Sequence, residues 1–369
     1  MRRVFAQTRK EITQILRDPL ALTLALVLPL FLLMLMGTAL SLTVSNLPMI
    51  VQDLDSSAAS REYIDAFRAS ISFHVVAWPV EIAPQQALTS NAARAALIIP
   101  RGFGRRIARA QGASVQLLVD ATDANTARLV QGYAAQISRA FVQAKSPGAA
   151  ASQPVNADIR LWFNPGRISK QFYGPGIFVL GISMFPPLLA ALAMAKEGQQ
   201  KTILQVYVSS ISVHEFLLGK IFAFMLIALG ECCLSLGLLL TYFGLHFAGD
   251  PTPFIVASIL YAFCVATFGT LIGSRIPNQA AAIQAVSLGG FVLSFLLSGL
   301  IFPVENIPPG LRWISNLVWA RYYVEVVRDA LLQGGGWPAM WNRVLIIGVI
   351  GGVFYLLAWR GMRLMQLKA

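Results

Sequence analysis

Six runs of apolar residues dominate this sequence, and each is long enough to cross a lipid bilayer as a helix. The runs lie at 20–44, 175–195, 217–247, 252–274, 280–302 and 339–359. A spanning helix needs about 20 apolar residues, because the hydrocarbon core is about 30 Å thick. Only 12% of the residues are charged, whereas soluble proteins carry about 25%. The sequence therefore predicts an α-helical membrane protein with six transmembrane helices.

Basic residues mark one end of these runs and indicate their orientation. Five of them precede the first run, and Lys196 follows the second, Arg275 the fourth and Arg360 the sixth. Because basic residues stay on the cytoplasmic side, we predict that both termini are cytoplasmic and that 45–172 is extracytoplasmic. The first run is too long for a cleaved signal peptide and is expected to remain as a membrane anchor. The amphipathic stretch within 1–19 predicts a helix that lies on the cytoplasmic surface.

Residues 45–172 show a different pattern, in which short apolar segments alternate with helical ones. The predicted strands are rich in apolar residues, end in turn residues and lie at 49–55, 73–79, 95–100 and 114–122. Apolar residues at helical spacing predict a helix at 123–144. Strands that alternate with helices predict a small α/β domain at 45–172. Transmembrane helices 2 to 6 are then predicted within 173–369.

Motifs for catalysis or metal binding are absent from the sequence. It has no Walker A loop, no HExxH motif and no nucleophile elbow, and its three cysteines lack zinc-site spacing. Asp120 and Asp123 could be read as metal ligands, but capping at a strand-to-helix junction is the favoured interpretation. The net charge of +12 does not indicate nucleic-acid binding, because many of the cations flank the apolar runs. We predict no catalytic residue and no metal site.

Two segments between the later runs carry more specific patterns. The first, 195–221, has Ile203, Leu204 and Tyr207 at helical spacing, which predicts a short amphipathic helix against the cytoplasmic face. The second, 297–334, contains two amphipathic stretches that are too short to cross the bilayer. Such stretches are typical of re-entrant or interfacial helices, here placed before the last span.

Together these segments resemble the permease subunits of ABC-2 exporters, in the branch with a large extracytoplasmic insert after helix one. In that family the loop between helices two and three has the pattern E-x-E-x-GT-x-E-x-L, a Ser-Pro turn and E-x-x-x-x-K. The matching residues here are Glu197, Thr202, Ser209, Glu215 and Lys220. Lys201, Leu204 and Ser210 replace the family's glycine, second glutamate and proline.

The second segment is similar to the family's pattern SG-x-x-FP…P…Y-F…R. Its matching residues are Ser298, Gly299, Phe302, Pro303, Pro308, Tyr323 and Arg328. Trp319 and Ala320 stand where the family usually has Asn-Pro. VDATDANTA at 119–127 also resembles the insert of this branch, so the likeness covers nearly the whole chain.

The resemblance implies an exporter that is driven by ATP but does not hydrolyse it. A cytoplasmic ABC ATPase dimer is expected to bind the coupling loop, 196–216, and to carry the ATP and Mg²⁺, so this chain itself holds no cofactor. Two permeases, identical or related, are expected to face each other in the bacterial inner membrane. Drugs or other amphiphiles are the expected substrates, and a periplasmic adaptor and an outer-membrane channel are further expected partners.

Charged residues in the apolar regions leave two interpretations open. Glu231 lies in the middle of the third run, where a charge is costly. It is either a residue of the translocation path that contacts cationic substrate or a carboxyl that packs inside the bundle. The outer re-entrant segment, 303–334, contains charges three or four residues apart, which favours pairing within one helix over substrate contact. These charges are Arg321, Glu325, Arg328 and Asp329.

Small residues recur at four-residue spacing in two later runs. They lie in GTLIG at 269–273 and in GVIGG at 348–352. Such spacing permits close contact between helices. Packing within the chain is favoured over a contact between two chains.

Two rival functions fit parts of this pattern. A membrane-anchored sensor or assembly scaffold would use the α/β domain to bind a periplasmic ligand. An intramembrane enzyme is disfavoured, because the spans lack a convergent set of nucleophile, base or metal ligands.

Overall fold

The computed structural model describes residues 2–39, 46–79, 82–90, 92–109, 111–120, 124–145, 169–200, 211–300, 304 and 307–366. The chain divides into two compact units. One unit combines Met1–Leu40 with Ile168–Ala369, and the other is Ser41–Arg167.

Six helices in the described part of the chain are long and apolar enough to cross a membrane. They are span 1 (Pro19–Thr38), span 2 (Gln171–Gln199), span 3 (Val213–Thr241), span 4 (Thr252–Arg275), span 5 (Gln279–Leu297) and span 6 (Gly336–Met362). The helices that contain spans 2 and 6 extend over Ser169–Gln199 and Gly336–Gln366. The predicted fold class, a six-span helical membrane protein with a small α/β region, is confirmed.

Helix α1 (Arg2–Leu16) precedes span 1. Between them Asp18 caps span 1, since its carboxylate accepts the backbone N–H groups of Leu20 and Ala21 at 3.0 and 3.1 Å. The helix that contains span 1 consists of Pro19–Leu22, a π-helical turn at Thr23–Val27 and Leu28–Ala39. Span 5 likewise has a π-helical turn, Ser287–Val292, between Gln279–Val286 and Leu293–Leu297.

Span 3 begins and ends earlier than its apolar run predicts. It begins at Val213 because Ser212 and Glu215 form a capping box, in which each side chain accepts the other residue's backbone N–H. It ends at Thr241 rather than near 247. The apolar residues that follow fold back on the bundle, where Leu245 is buried beyond a left-handed Gly244.

Span 2 is the most buried of the six spans and packs closely against span 4. A Cβ atom at Gly269 would lie 2.2 Å from the carbonyl oxygen of Pro187, and one at Gly273 would lie 2.4 Å from that of Ala191. The small residues at 269–273 therefore mediate contact within the chain, in agreement with the favoured interpretation. Gly351 similarly brings span 6 onto span 4, because its Cβ would lie 3.3 Å from the Cα of Cys264.

The second unit is an α/β domain with one four-stranded sheet. Its elements in chain order are β1 (Leu47–Asp53), α2 (Ala58–Arg68), β2 (Phe73–Val76), α3 (Pro84–Thr89), β3 (Ala95–Ile99), α4 (Phe103–Ala108), β4 (Gln116–Val119) and α5 (Ala124–Lys145). The strand order is β2-β1-β3-β4, with β1 parallel to β2 and β3, and β4 antiparallel to β3. In register, Leu47 faces Phe73, Met49 faces Ala95 and Ala95 faces Val119.

One face of this sheet builds the larger core of the domain. Met49 and Leu97 of the strands pack with Tyr63 and Phe67 of α2 and with Phe141 of α5. The Tyr63 ring meets the Phe141 ring edge-on at a centroid distance of 5.0 Å, and its hydroxyl hydrogen-bonds to Ser138 at 2.6 Å. A smaller core under α3 covers part of the opposite face.

Two short helices, α6 (Pro309–Ser315) and α7 (Trp319–Arg328), lie between spans 5 and 6. A π-helical turn, Asp329–Gln333, extends α7 and ends at Gly334 in the left-handed conformation. These are the two half-length stretches that the sequence predicts. Neither is long enough to cross a bilayer.

Candidate functional site

Helix α1 lies directly against the beginning of span 3. A Cβ atom at Gly219 would lie 2.6 Å from the Cβ of Gln7, so only glycine permits this approach. The Thr8 hydroxyl donates to the Gly219 carbonyl oxygen at 3.0 Å. Because the two backbones are this close, Glu11, one turn after Thr8, and Lys220, the residue after Gly219, can pair with each other.

Lys220 is fully buried in this contact and is paired with two carboxylates. Its Nζ lies 2.8 Å from Glu11 Oε1 of α1 and 3.1 Å from Glu197 Oε2 of span 2. Lys10 Nζ lies 2.9 Å from Glu197 Oε1 and 3.7 Å from Glu11 Oε1. Gln7 Nε2 also donates to Glu11 at 2.9 Å. We call Lys10, Glu11, Glu197 and Lys220 the boundary cluster.

The boundary cluster contains equal numbers of positive and negative charges, which is the condition for burying them at acceptable cost. Partial burial by itself would lower the pKa of Lys10. The hydrogen bond and the charge of Glu197, with a further contribution from Glu11, outweigh burial and hold that pKa above its ordinary value. The cluster thus joins α1, the end of span 2 and the beginning of span 3.

Of the residues predicted for the coupling loop, three are placed by the structure at this end of the bundle. Glu197 and Lys220 belong to the boundary cluster, and Glu215 caps span 3 and lies 3.6 Å from Arg3 of α1. The remaining predicted residues lie outside the described residues; they are Thr202, Ile203, Leu204, Tyr207 and Ser209.

The sequence-based prediction missed Lys10 and Glu11. Their signal was present, because Glu11 is the one acidic residue in the strongly basic helix α1 and sits on its buried face. Nothing in the sequence identifies its partner, which is 209 residues away.

Other contacts at the same end connect the remaining spans. His214 of span 3 hydrogen-bonds to the Tyr355 hydroxyl at 2.7 Å and stacks on Trp359, both in span 6. Gln279 of span 5 donates to Gln199 of span 2 at 2.6 Å. These contacts join span 3 to span 6 and span 5 to span 2.

Glu231 lies in the middle of span 3 and is 1% exposed. Neither of its carboxyl oxygens has a hydrogen-bond partner in the described part of the structure. A Cβ at Gly181 of span 2 would lie 3.1 Å from Glu231 Oε1 and 3.6 Å from the Cβ of Pro29 in span 1. The carboxyl therefore lies where spans 1, 2 and 3 meet.

Hydroxyl groups form a polar layer within the same bundle. The Tyr261 and Tyr323 rings stack at 4.1 Å. Their hydroxyls hydrogen-bond to Ser183 at 2.5 Å and to Ser258 at 2.7 Å, respectively. Tyr323, predicted in the outer segment, is thus fully buried and joins α7 to span 4.

Among the charges of the outer segment, Arg321 and Glu325 pair with each other at 3.5 Å, whereas Arg328 and Asp329 hydrogen-bond to backbone groups. Arg328 instead donates to the carbonyl oxygens of Gly299 and Leu300 at 3.0 and 3.3 Å. Those carbonyl groups follow the end of span 5 at Leu297, so Arg328 joins α7 to the segment after that span.

The other outer charges also bind groups beyond α7. Asp329 accepts the backbone N–H groups of Gly335 and Gly336 at 2.9 and 3.0 Å, and Glu325 lies 2.9 Å from Arg343 of span 6. These contacts hold the beginning of span 6 to α7.

The small residues and prolines predicted for this segment are placed as follows. Ser298 is buried, Gly299 adopts a positive φ of 81° and Pro308 precedes α6. Pro303 lies outside the described residues.

In the α/β domain Asp55 caps α4 through backbone contacts. Its carboxylate accepts the N–H groups of Gly102 and Gly104 at 2.6 and 2.8 Å, and a hydrogen bond with Ser57 contributes most to lowering its pKa. Asp120 pairs with Arg94, and Asp123 lies outside the described residues. No group of three or more potential metal ligands occurs among the residues that the structure describes.

Comparison with known proteins gives consistent results over nearly the full length. A family model described as ABC-2 family transporter protein matches residues 21–360. The chain is 27% identical over 370 residues to the probable multidrug ABC transporter permease YbhR of Escherichia coli (strain K12), covering 96% of this chain and 97% of that protein.

Two further relatives from the same strain have similar coverage. The probable multidrug ABC transporter permease YbhS is 28% identical over 372 residues, with 97% of this chain and 96% of that protein covered. The inner membrane transport permease YhhJ is 24% identical over 373 residues, again with 97% and 96% covered.

Proposed function

This chain belongs to the ABC-2 family of transporter proteins, and from that premise we propose how its parts divide the work of export. It is a multi-pass membrane protein and the permease subunit of an ABC exporter, and ATP hydrolysis takes place in a partner ABC ATPase. The proposal concerns the coupling site, the substrate, the orientation and the further partners.

The coupling site is the loop 196–216 together with the boundary cluster. The observation that carries this proposal is that the helices on both sides of the loop are tied to α1, through Glu197 and Lys10 at the end of span 2 and through Lys220 and Glu11 at the beginning of span 3. A force on the loop would therefore move α1, span 2 and span 3 together rather than bend the loop alone. This arrangement requires the loop, α1 and both termini to face the cytoplasm. The basic residues at this end of the bundle favour the same orientation, because basic residues stay on the cytoplasmic side.

The substrates are drugs or other amphiphiles, which the names of two relatives suggest. Two permeases, identical or related, form the path, and Glu231 belongs to it. An unpartnered carboxyl inside the bilayer is costly, which supports a role in substrate contact. ATP and Mg²⁺ bind the ATPase dimer, and a periplasmic adaptor and outer-membrane channel receive the substrate beyond the extracytoplasmic domain.

A reconstituted transport assay tests the proposal. The permease and its cognate ATPase are placed in proteoliposomes, and drug uptake and drug-stimulated ATP hydrolysis are measured. Glu215→Ala, which breaks the capping box and the pair with Arg3, is expected to lower the stimulation about fivefold or more. Glu325→Ala, at the far end of the bundle, is the matched control and is expected to leave it unchanged.

Two outcomes would contradict the proposal. A chain that neither binds an ATPase nor stimulates its hydrolysis would fit the sensor or scaffold interpretation. Labelling of a cysteine placed at Gln200 by a reagent confined to the periplasm would invert the orientation and remove the coupling site from the ATPase.

A further inference from the structure

A cavity of about 750 Å³ lies beside the boundary cluster, between α1 and spans 1, 2 and 3. Its apolar wall is formed by side chains from all four helices: Ile15, Ala21, Leu189, Leu192, Ala193 and Phe224. Its polar wall is formed by charged and amide side chains at the ends of α1 and span 2. An occupant of this cavity must therefore be amphiphilic.

Three cations and three carboxylates line the cavity, and the buried Lys220 next to it brings the local net charge to +1. Lys10 and Glu11 line it together with Glu197, but the boundary cluster is neutral once Lys220 is included. Asp18 also lines it and is engaged by two backbone N–H groups.

Two cations remain on the polar wall. Arg17 and Lys196 are both exposed and have no carboxylate partner among the described residues. Gln14 and Gln200 add hydrogen-bond donors without charge. The polar wall thus presents two cations without a salt-bridge partner and one carboxylate, Asp18, that caps span 1, and the remaining charge of +1 suits an occupant with a single negative charge.

The two walls lie at different depths in the membrane. Lys196 is three residues from the end of span 2, and Arg17 comes just before span 1 begins. Leu189 is seven residues deeper than Lys196, which is about 10 Å along the helix. Cations at the water boundary and apolar side chains about 10 Å below it match a phospholipid, whose phosphate and acyl chains are separated in the same direction.

We propose that an anionic phospholipid of the adjoining leaflet binds in this cavity. Its phosphate lies between Arg17 and Lys196, and an acyl chain runs along the partly exposed side chains of Ile15, Leu192 and Ala193. The bound lipid fills the space between α1 and span 2 and so supports the packing of the boundary cluster. This site does not depend on which substrate the exporter carries.

Lipid retention by the purified full-length chain tests the proposal. Native mass spectrometry measures bound lipid after transfer from nanodiscs that contain phosphatidylcholine with increasing phosphatidylglycerol. We expect wild-type protein to retain one phosphatidylglycerol in preference to phosphatidylcholine. Loss of two cations near the surface predicts about 30-fold weaker retention in the double variant Arg17→Gln/Lys196→Gln.

The matched control removes two other cations, both from α1. Arg2 and Arg9 are exposed on α1 but do not line the cavity. Because Arg2 and Arg9 lie outside the cavity, water and salt screen their attraction to a phosphate bound there, and Arg2→Gln/Arg9→Gln is expected to weaken retention less than about threefold. Equal losses in the two double variants would show diffuse attraction to the anionic surface and would overturn the proposal.

Competition distinguishes the lipid from other anions or amphiphiles. Displacement of phosphatidylglycerol by glycerol phosphate would identify a site for soluble anions, and displacement by a transported drug would identify a substrate site. Either result overturns the proposal, whereas retention against both supports it. No arm of the experiment uses ATP or the ATPase, so its outcome is independent of the proposed coupling.

Discussion

Span 3 contains two fully buried ionisable side chains in contrasting environments. Lys220 near its beginning is held by two carboxylates from α1 and span 2, whereas Glu231, eleven residues further on, has no hydrogen-bond partner in the described structure. The two residues are about 16 Å apart along the helix. Near the water boundary neighbouring helices supply counter-charges, and in the middle of the bilayer they do not. The charge of Lys220 is therefore neutralised by its neighbours, whereas the retention of Glu231 is the one that needs a functional explanation.

Removal of the Lys220 ammonium is expected to have the largest effect. Lys220→Met leaves Glu11 and Glu197 buried with only Lys10 to compensate them, which should destabilise the protein by about 3–5 kcal/mol. Chemical unfolding in detergent measures the change. Lys10→Met, which removes a half-exposed lysine, is the control and should cost far less.

A double variant shows whether charge balance is the cause of that effect. Lys220→Met/Glu11→Gln removes one charge of each sign and leaves the Lys10–Glu197 pair, so it should recover at least half of the lost stability. Equal instability of the single and double variants would mean that the lysine stem, not its charge, holds α1 in place.

The close approach of α1 is expected to matter next. Gly219→Ala places a methyl group 2.6 Å from the Gln7 Cβ, which should push α1 away and cost about 1–3 kcal/mol. The loss can be followed by faster proteolysis of α1. Gly230→Ala on the same helix is the control, because nothing lies within 4 Å of its added Cβ; an equal loss there would show that any added methyl weakens span 3.

Glu231→Gln should change stability by about 1 kcal/mol or less, since the amide has the shape of the carboxyl and no hydrogen bond is lost. Transport of a cationic drug should nevertheless fall, while transport of a neutral one should not. A drop in stability comparable to that of Lys220→Met would remove the contrast between the two sites.

Arg3→Gln is expected to have the smallest effect. Arg3 is half-exposed and lies 3.6 Å from Glu215 at the surface, so water and salt screen the pair. The midpoint of thermal unfolding should not shift measurably at physiological salt. A clear shift of this midpoint would show that strong ion pairing extends beyond the boundary cluster.

Sequence patterns predicted the spans well, because each needs only enough apolar residues in a row. The true start of span 3 was also readable, since Ser212 and Glu215 have capping-box spacing. Its end was not, because apolar Leu245 packs back on the bundle instead of extending the helix. The pairs of Glu11 with Lys220 and of Arg328 with the Gly299 carbonyl join distant parts of the chain, and no local pattern encodes them.

The seam at Gly269 and Gly273 has a mechanical consequence. With Gly269 and Gly273 of span 4 so close to the carbonyl oxygens of Pro187 and Ala191, we expect spans 2 and 4 to move together during a transport cycle. We expect bending in spans 1 and 5, which are lightly packed and each contain a π-helical turn.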